Sequence, residues 1–404
     1  MSGILLDISR LISRVRHVTP SGVDRVEMAY ARGLLAHYGQ DLGFAAFHPV
    51  GVYGRLSRKA ALAYLDELEF RWTHETEKPR QRSLLSVSPW LAALRPRRAG
   101  IGNAEVYVQV SPHHLTRTDA VKRVLEREGA RFLCMVHDLI PIEFPEYARP
   151  GGDALHAKRM TSVARLADGV IVNSAATGHS LHKWIAAQGM TPPPTHVALL
   201  GTEAVADTPP TRSADGRPYF LCLGTIEPRK NHLLLLHLWR EMAETLSPAQ
   251  MPRLVIVGRR GWENEQILDL LDRCPALAPH VEEINGCPDR DLAGLLRGAR
   301  AVLMPSFTEG YGMPIAEALS VGTPVICSDI AAHREVGGTV PDYLPTLDGP
   351  GWHSAILDHA SEGPLHKAQV ARLPQWHAPD WEAHMTIAVA AIEQLRKANG
   401  KPAI

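Results

Sequence analysis

Short apolar runs of strand length recur along the chain, and each is followed by a stretch whose apolar positions are spaced as on a helix face. ILLDIS, 4–9, is the first run; after a basic, polar turn, Ser21-Gly22-Val23-Asp24 opens a helix with Val23, Val26, Tyr30 and Leu34 on one side. FAAFHPV, 44–50, predicts a second strand and 57–70 a second helix. VYVQV, RFLCMVHD and GVIVNS predict three more strands, separated by helices over 117–128 and 152–167, and HVALLG is the last strand of this half. The stretch from Thr202 to Pro218 is polar and proline-containing. The alternation then restarts with YFLCLG, the helical HLLLLHLWREMAETL, RLVIVG, VEEINGC and a helix from Asp289. Strands followed by helices in this order predict βαβ units and parallel sheets.

The most informative unit is ARAVLMPSFTEGYGMPIAEALSVGTPVICSD, 299–329. The run 301–304 is strand-like, the loop 305–313 carries Glu309, Gly310 and Gly312, and Pro314 stands where a helix begins, since its fixed φ suits the first turn and its missing N–H is no loss there. That helix is predicted to run to about Val321 and to stop at Gly322, with VICS as the next strand. Such a loop lies at the carboxyl ends of the strands, where open α/β sheets bind ligands, and the helix N-terminus facing it suits a phosphate. Glu309 and Glu317 have an alternative reading, as a solvated loop acid and an acid complementing the helix dipole.

At 404 residues the chain exceeds one ordinary core, so two domains are expected, at 1–205 and 219–380, joined by a linker at 206–218 and followed by a C-terminal helix over 381–404. Lys+Arg and Asp+Glu each number 43, so no global field points to nucleic acid. The five cysteines (134, 222, 274, 287, 327) show no C-x-x-C pairing, and they read as small buried hydrophobes of a reducing cytoplasm. Neither a signal peptide nor a membrane-spanning run is expected. From Lys78 to Arg98 basic residues surround an apolar, Trp90-bearing centre; this suits either an anionic membrane surface or a solvated insertion packed on its own domain. Asp289-Arg-Asp291 matches a D-x-D metal motif in form, but both acids stand at a helix start and read better as a cap.

E-G-Y-G-M-P-I-A-E, with the surrounding PS-x-x-EG-[YF]-G-x-P-x-x-EA pattern, resembles the E-x7-E signature of retaining glycosyltransferases of the GT-B fold, in particular glycosyltransferase family 4. The resemblance implies two Rossmann-like domains facing across a cleft, the acceptor on the first and a nucleotide-sugar donor, GDP- or UDP-linked, mainly on the second. It gives Glu309 the donor sugar's hydroxyls and Glu317 the nucleotide ribose, with Gly310, Tyr311, Gly312 and Met313 along the donor. HDLIP resembles the family's H-D-x-x-P segment, whose histidine, here His137, approaches the reacting sugar. Gly224 to Asn231 resembles G-R-x-x-x-R-K-N, in which a lysine and an arginine grip the diphosphate; Lys230 matches, and Thr225 replaces the usual arginine, so that Arg229 supplies that charge or Lys230 acts alone. Gly22 matches the first-loop glycine near the diphosphate; Gly258, with the loop it opens, and Cys287, in the 285–288 loop that would hold the base, complete the donor-binding set.

The resemblance therefore implies hexosyl transfer with retention and without a metal. The RGWENEQILDLL and HDLIP segments look most like bacterial mannosyltransferases of surface-polysaccharide assembly, which points to GDP-mannose and a glycan or lipid-linked glycan acceptor. A GT-B phosphorylase or epimerase, or a non-catalytic nucleotide-sugar-binding subunit, is the alternative.

Overall fold

The structure, a computed structural model, describes residues 3–17, 20–48, 52–74, 82–96, 103–203 and 205–398. It divides into two compact units. The first comprises Met1–Ile142, Gly151–Gly201 and Asp380–Ile404, and the second Glu143–Pro150 and Thr202–Pro379.

The first unit is built on a sheet of β1 (Ile4–Asp7), β2 (Leu42–Phe47), β3 (Tyr53–Arg55), β4 (Val106–Gln109), β5 (Arg131–Val136), β6 (Gly169–Val172) and β7 (Thr195–Val197), in the order β3-β2-β1-β4-β5-β6-β7. All pairs are parallel except β2 with the short edge strand β3. Every residue of β1, β4 and β6 is buried, as expected of parallel strands covered on both faces, and this is why their sequences read as apolar runs, closed by the buried polar residues Asp7 in β1 and Gln109 in β4. Helix starts follow the local chemistry. Ser21 and Asp24 form a reciprocal cap on the Gly22–Tyr38 helix, and Ser174 accepts from the amide of Thr177 at 3.0 Å. The C-terminal helix, Trp381–Lys397, packs in this unit: His384 bonds the Leu199 carbonyl at 3.0 Å and the Tyr30 hydroxyl at 2.8 Å, and Arg396 pairs with Glu105 at 2.6 Å.

The second unit carries β8 (Tyr219–Leu223), β9 (Arg253–Val257), β10 (Val281–Ile284), β11 (Ala301–Met304), β12 (Val325–Ser328) and β13 (Asp342–Leu344), ordered β10-β9-β8-β11-β12-β13 and parallel throughout. The direction of winding reverses between β8 and β11, so the loops after these two strands flank the switch point, where ligands enter open α/β sheets. Its core gathers Phe220, Trp239, Leu254, Ile256, Leu303 and Trp352, and the Trp239 indole N–H is satisfied by the Pro252 carbonyl at 3.0 Å.

Several local expectations shift. ILLDIS stays extended only to Asp7, because Ser9 starts a short helix to Ser13. The second helix runs Arg58–His74, and HVALLG contributes only Thr195–Val197 to the sheet. Thr202–Pro218, read as a linker, lies against the second unit's Asp289–Gly298 helix: Thr211 N–H donates to the Gly294 carbonyl at 2.9 Å, and Tyr219 Oη donates to Thr211 O at 3.0 Å. Asp289 and Asp291 lie in the first turn of that helix behind an N-cap taken by Pro288, so they complement the helix dipole rather than cap it.

Within the basic, Trp-bearing segment, residues 84–93 form a helix. Val87 and Leu94 are buried, Trp90 packs on Tyr64 at 5.5 Å, and Leu84 and Leu85 stand 62% and 86% exposed. The ends of the segment, with Lys78, Arg80, Arg97 and Arg98, lie outside the described residues. No helix among the described residues is long and apolar enough to cross a membrane.

Candidate functional site

In the second unit the loops after β8 and β11 meet around one carboxylate. After β8 the chain passes Gly224 (φ +129°) into a single 3-10 turn, Pro228–Lys230, and leaves through Asn231 in the left-handed region. This turn aims two consecutive cations at the β11 loop. Lys230 Nζ donates to Glu309 Oε1 at 2.6 Å, and Arg229 Nη1 donates to Glu309 Oε2 at 2.6 Å and to the Thr308 carbonyl at 3.0 Å. Ser306 Oγ adds a third donor to Glu309 Oε1 at 2.8 Å, and Phe307 N–H donates to the Arg229 carbonyl at 2.8 Å, tying the two loops through their backbones.

The side chains of Glu309 and Lys230 are only 8% and 9% exposed. Burial alone would raise the Glu309 carboxyl, but Arg229 and Lys230 outweigh it and hold the group well below the usual carboxylate range. Glu227 Oε1 lies 2.7 Å from Arg229 Nε; here burial wins over the two cations, and its carboxyl is pushed up.

Gly312 (φ +109°) leads into the Met313–Ser320 helix with no side-chain cap, and Pro314 sits in its first turn. The amides of that turn are free of side-chain partners of the capping kind and carry the positive end of the helix dipole. Glu317 is half-buried within this helix, and Tyr311 is buried in the loop before it. Behind Gly312 lies His333, fully buried; its Nδ1 is 2.9 Å from the Ser328 carbonyl, and its Nε2 has no hydrogen-bond partner among the described residues. Burial pushes this imidazole down to about 4 although Glu309 opposes the shift. The ring is therefore neutral, with the proton on Nδ1.

The loop after β9 closes another side. A Cβ on Gly258 would collide with the carbonyl oxygen of Gly224, so only glycine lets these loops approach, and Ile226 N–H donates to the Arg259 carbonyl at 2.8 Å. Cys287 follows Gly286 (φ +76°) in the loop after β10, its thiol 3.5 Å from the Pro288 carbonyl. An aromatic wall continues from Phe307. Tyr147 stacks on it at 5.3 Å and 13°, Trp262 donates its indole N–H to the Tyr147 carbonyl at 3.1 Å, and Arg149 lies 4.8 Å over Trp262. Residues 143–150, placed in the first domain by the sequence reading, thus pack in the second unit.

The remaining two sequence candidates lie in the first unit. His137 follows β5; its Nε2 donates to the Val110 carbonyl at 2.8 Å, and its own carbonyl receives Asn173 Nδ2 at 3.0 Å. Burial holds its pKa below the ordinary value against Val110 and Asp138, leaving a neutral ring with its lone pair on Nδ1. Gly22 is the first residue of its helix, in a turn closed by the Ser21–Asp24 cap, with Asp24 itself held by Arg10 at 2.6 Å. That helix end already has a carboxylate of its own, unlike the uncapped end at Met313.

The structure thus brings Gly224, Arg229, Lys230, Glu309 and Gly312 to one place, with Gly258 behind Gly224. The sequence reading left out Glu227, Ser306 and His333. Ser306 is in the PS-x-x-EG pattern and Glu227 stands two residues before Arg229, so both had a local signal; His333 had none. Among the described residues no group of three or more His, Cys, Asp or Glu could hold a metal ion.

Residues 206–338 match the family of glycosyl transferases group 1. The serotype-specific mannosyltransferase WbdA of Escherichia coli is 29% identical over 245 residues, which cover 56% of this chain and 29% of WbdA. The chain thus spans well under half the length of this relative. Sucrose-phosphate synthase of Thermosynechococcus elongatus superposes with a TM-score of 0.65 at 17% identity, covering 99% of this chain and all of that one. Anabaena HepE, solved in complex with UDP and glucose, superposes with a TM-score of 0.61 at 14% identity, covering 98% of this chain and all of that one. Residues 206–338 thus resemble glycosyl transferases group 1, on a fold of two parallel-sheet α/β domains of the GT-B type.

Proposed function

We propose that the protein is a retaining hexosyltransferase of glycosyltransferase family 4 that takes mannose from GDP-mannose and passes it to a glycan or lipid-linked glycan acceptor in bacterial polysaccharide synthesis. The observation that carries the reading is the pairing of Arg229 and Lys230 on one buried carboxylate, Glu309, in the loop before an uncapped helix N-terminus. The hard event in sugar transfer from a nucleotide donor is departure of a diphosphate, and preorganised cations and helix amides stabilise that charge without a metal. On donor binding the diphosphate takes over the cations that Glu309 occupies in the free protein. Glu309 is then left facing the sugar, whose ring gains positive charge as the leaving group departs, and Glu317 faces the ribose. His137, neutral and with a lone pair on Nδ1, is assigned to the sugar side. Gly22, Gly310, Tyr311, Met313 and Cys287 are assigned to the donor.

Mannose is favoured by the likeness to WbdA, and a UDP-linked donor is the other candidate, since HepE was solved with UDP. The exposed Leu84 and Leu85 in a basic segment support peripheral contact with the inner face of the cytoplasmic membrane. A thermal-shift panel of GDP- and UDP-sugars, followed by donor hydrolysis and transfer assays, tests the reading. Stabilisation by GDP-mannose with slow release of GDP is the expected result; binding of no nucleotide sugar overturns it.

A further inference from the structure

The first unit has an open groove of about 770 Å³ that the transferase reading does not use. Its walls are the β2–β3 edge and two helices, Thr118–Glu128 and Gly152–Leu166. Arg123 and Arg127 come from one stripe of the first helix, Arg117 from its N-cap position and Lys158 from the second helix, so four cations face one cavity. Among the described residues Asp119 is the one acid in the lining. Of the other acids on this helix, Glu126 pairs with Lys122 at 3.8 Å, and Glu128 is buried and paired with Arg55 at 2.7 Å. Arg117, Arg123 and Lys158 make no ion pair among the described residues, while Arg127 lies 5.9 Å over the Tyr53 ring. Four cations against one acid leave an excess of positive charge, and an anion in the groove lowers their mutual repulsion.

The rest of the lining suits an oxyanion. Thr116, Thr118 and Thr161 bring hydroxyls, and the N-terminus of the Thr118–Glu128 helix opens here with no side-chain cap on its amides. The loop is held in place, since Ser162 Oγ donates to the Leu115 carbonyl at 2.6 Å and meets Thr118 Oγ1 at 2.6 Å. Phe47 and Tyr53, 5.1 Å apart, form an apolar wall beside the cations. After burial and His113, the charge of Arg117 helps push the His114 imidazole to about 4, a sign of the positive potential at this edge.

We propose that this groove binds a phosphate or diphosphate group carried by the acceptor of the transfer. Only the word acceptor rests on the transferase reading; the anion site stands on the groove itself. The planar forks of Arg117 and Arg123 suit bidentate contact with phosphate oxygens, Lys158 adds a point charge, and the aromatic wall accommodates the sugar or isoprenoid next to the phosphate.

The test is titration calorimetry of the full chain with inorganic pyrophosphate at low salt. Lys230→Gln removes one of the two donor-side cations and weakens that site, so the groove is read from what the groove substitutions take away in this background. Adding Arg117→Ser, Arg123→Ser and Lys158→Ser to Lys230→Gln should weaken the surviving site by roughly 100-fold. The charge-keeping set Arg117→Lys, Arg123→Lys and Lys158→Arg should retain most of it. No pyrophosphate binding in Lys230→Gln, or equal affinity with and without the three serines, overturns the proposal. Donor hydrolysis by the triple-serine protein should equal that of the wild type. Absent hydrolysis in the wild type with intact groove binding would defeat the transferase reading alone. Phosphatidylglycerol vesicles sedimented by the protein and released by pyrophosphate would place the phosphate on a lipid. Pyrophosphate binding without sedimentation would place it on a soluble ester, and both results support the site.

Discussion

Replacing Glu309 by Gln separates two roles that the free protein superimposes on one side chain. In the free protein this carboxylate holds Lys230 Nζ and Arg229 Nη1 at 2.6 Å each, so the cations proposed to grip a diphosphate are already neutralised. Gln keeps one oxygen acceptor and the shape but removes the charge, leaving Arg229, Lys230 and Glu227 with a net positive site. A negative charge about 5 Å from a bound phosphate repels it by roughly 3 kcal/mol at an effective dielectric of about 20. Relaxation and screening reduce this to roughly 1–2 kcal/mol, so Glu309→Gln should bind nucleoside diphosphate about 10-fold more tightly than the wild type. On the proposed role, the same change removes the carboxylate that faces the sugar as positive charge develops, and kcat should fall by roughly 10²-fold. Affinity for the product thus rises while turnover falls, an opposition that a merely solvated loop acid would not produce. Stability should drop by about 3 kcal/mol, because buried Lys230 loses its charged partner and half-buried Arg229 keeps only Glu227, and bound diphosphate should restore much of it. Calorimetric titration with GDP and UDP, with donor turnover measured on the same folded preparation, makes the comparison. Unchanged or weaker diphosphate binding together with near-wild-type kcat would remove Glu309 from the mechanism.

Glu317→Gln should mainly raise donor KM and leave kcat close to wild type, since a ribose contact is the same in ground and transition states; a selective loss of kcat contradicts that assignment. Turnover should survive EDTA if, as proposed, Arg229, Lys230 and the Met313–Ser320 helix end supply the charge at the diphosphate; a strict Mg²⁺ or Mn²⁺ requirement for the chemical step would refute that account. His333 is neutral in the fold, with a pKa of about 4 against an ordinary 6.5, so its contribution is fully present above pH 6.5 and is lost as pH falls toward 4. Over that window the loss approaches about 3 kcal/mol, and His333→Gln should flatten the acid side of a Tm–pH curve; a curve parallel to wild type would show that other groups set it. Leu84→Ser with Leu85→Ser, or serine at Arg95, Arg97 and Arg98, should weaken sedimentation with anionic vesicles, each basic residue contributing ~1 kcal/mol. Wild-type protein that ignores such vesicles at low salt would make the segment an ordinary insertion.

By itself the sequence determined the two rounds of strand and helix. A parallel strand buried on both faces is mostly apolar, so ILLD, VYVQ, YFLCL and AVLM announce themselves without any tertiary information, although ILLD and VYVQ each end in a polar residue. It also determined the loop chemistry around Glu309, because Pro314 and the flanking glycines are local requirements of a strand–loop–helix turn. The edge strands Tyr53–Arg55 and Asp342–Leu344 were not legible, since three residues with one covered edge need no distinctive pattern. Tertiary structure alone decided which charges meet. Glu309 and Lys230 are 79 residues apart, and only the adjacency of β8 and β11 brings their loops together. It also decided that Thr202–Pro218 lies along a helix rather than hanging free, and that Gly22 opens a helix with its own acid at the cap while Gly312 opens one without. His333 and the four-cation groove came from the fold as well. The burial of an imidazole and the convergence of Arg117, Arg123, Arg127 and Lys158 are properties of packing between elements, and the periodicity within one element says which face is covered but not what covers it.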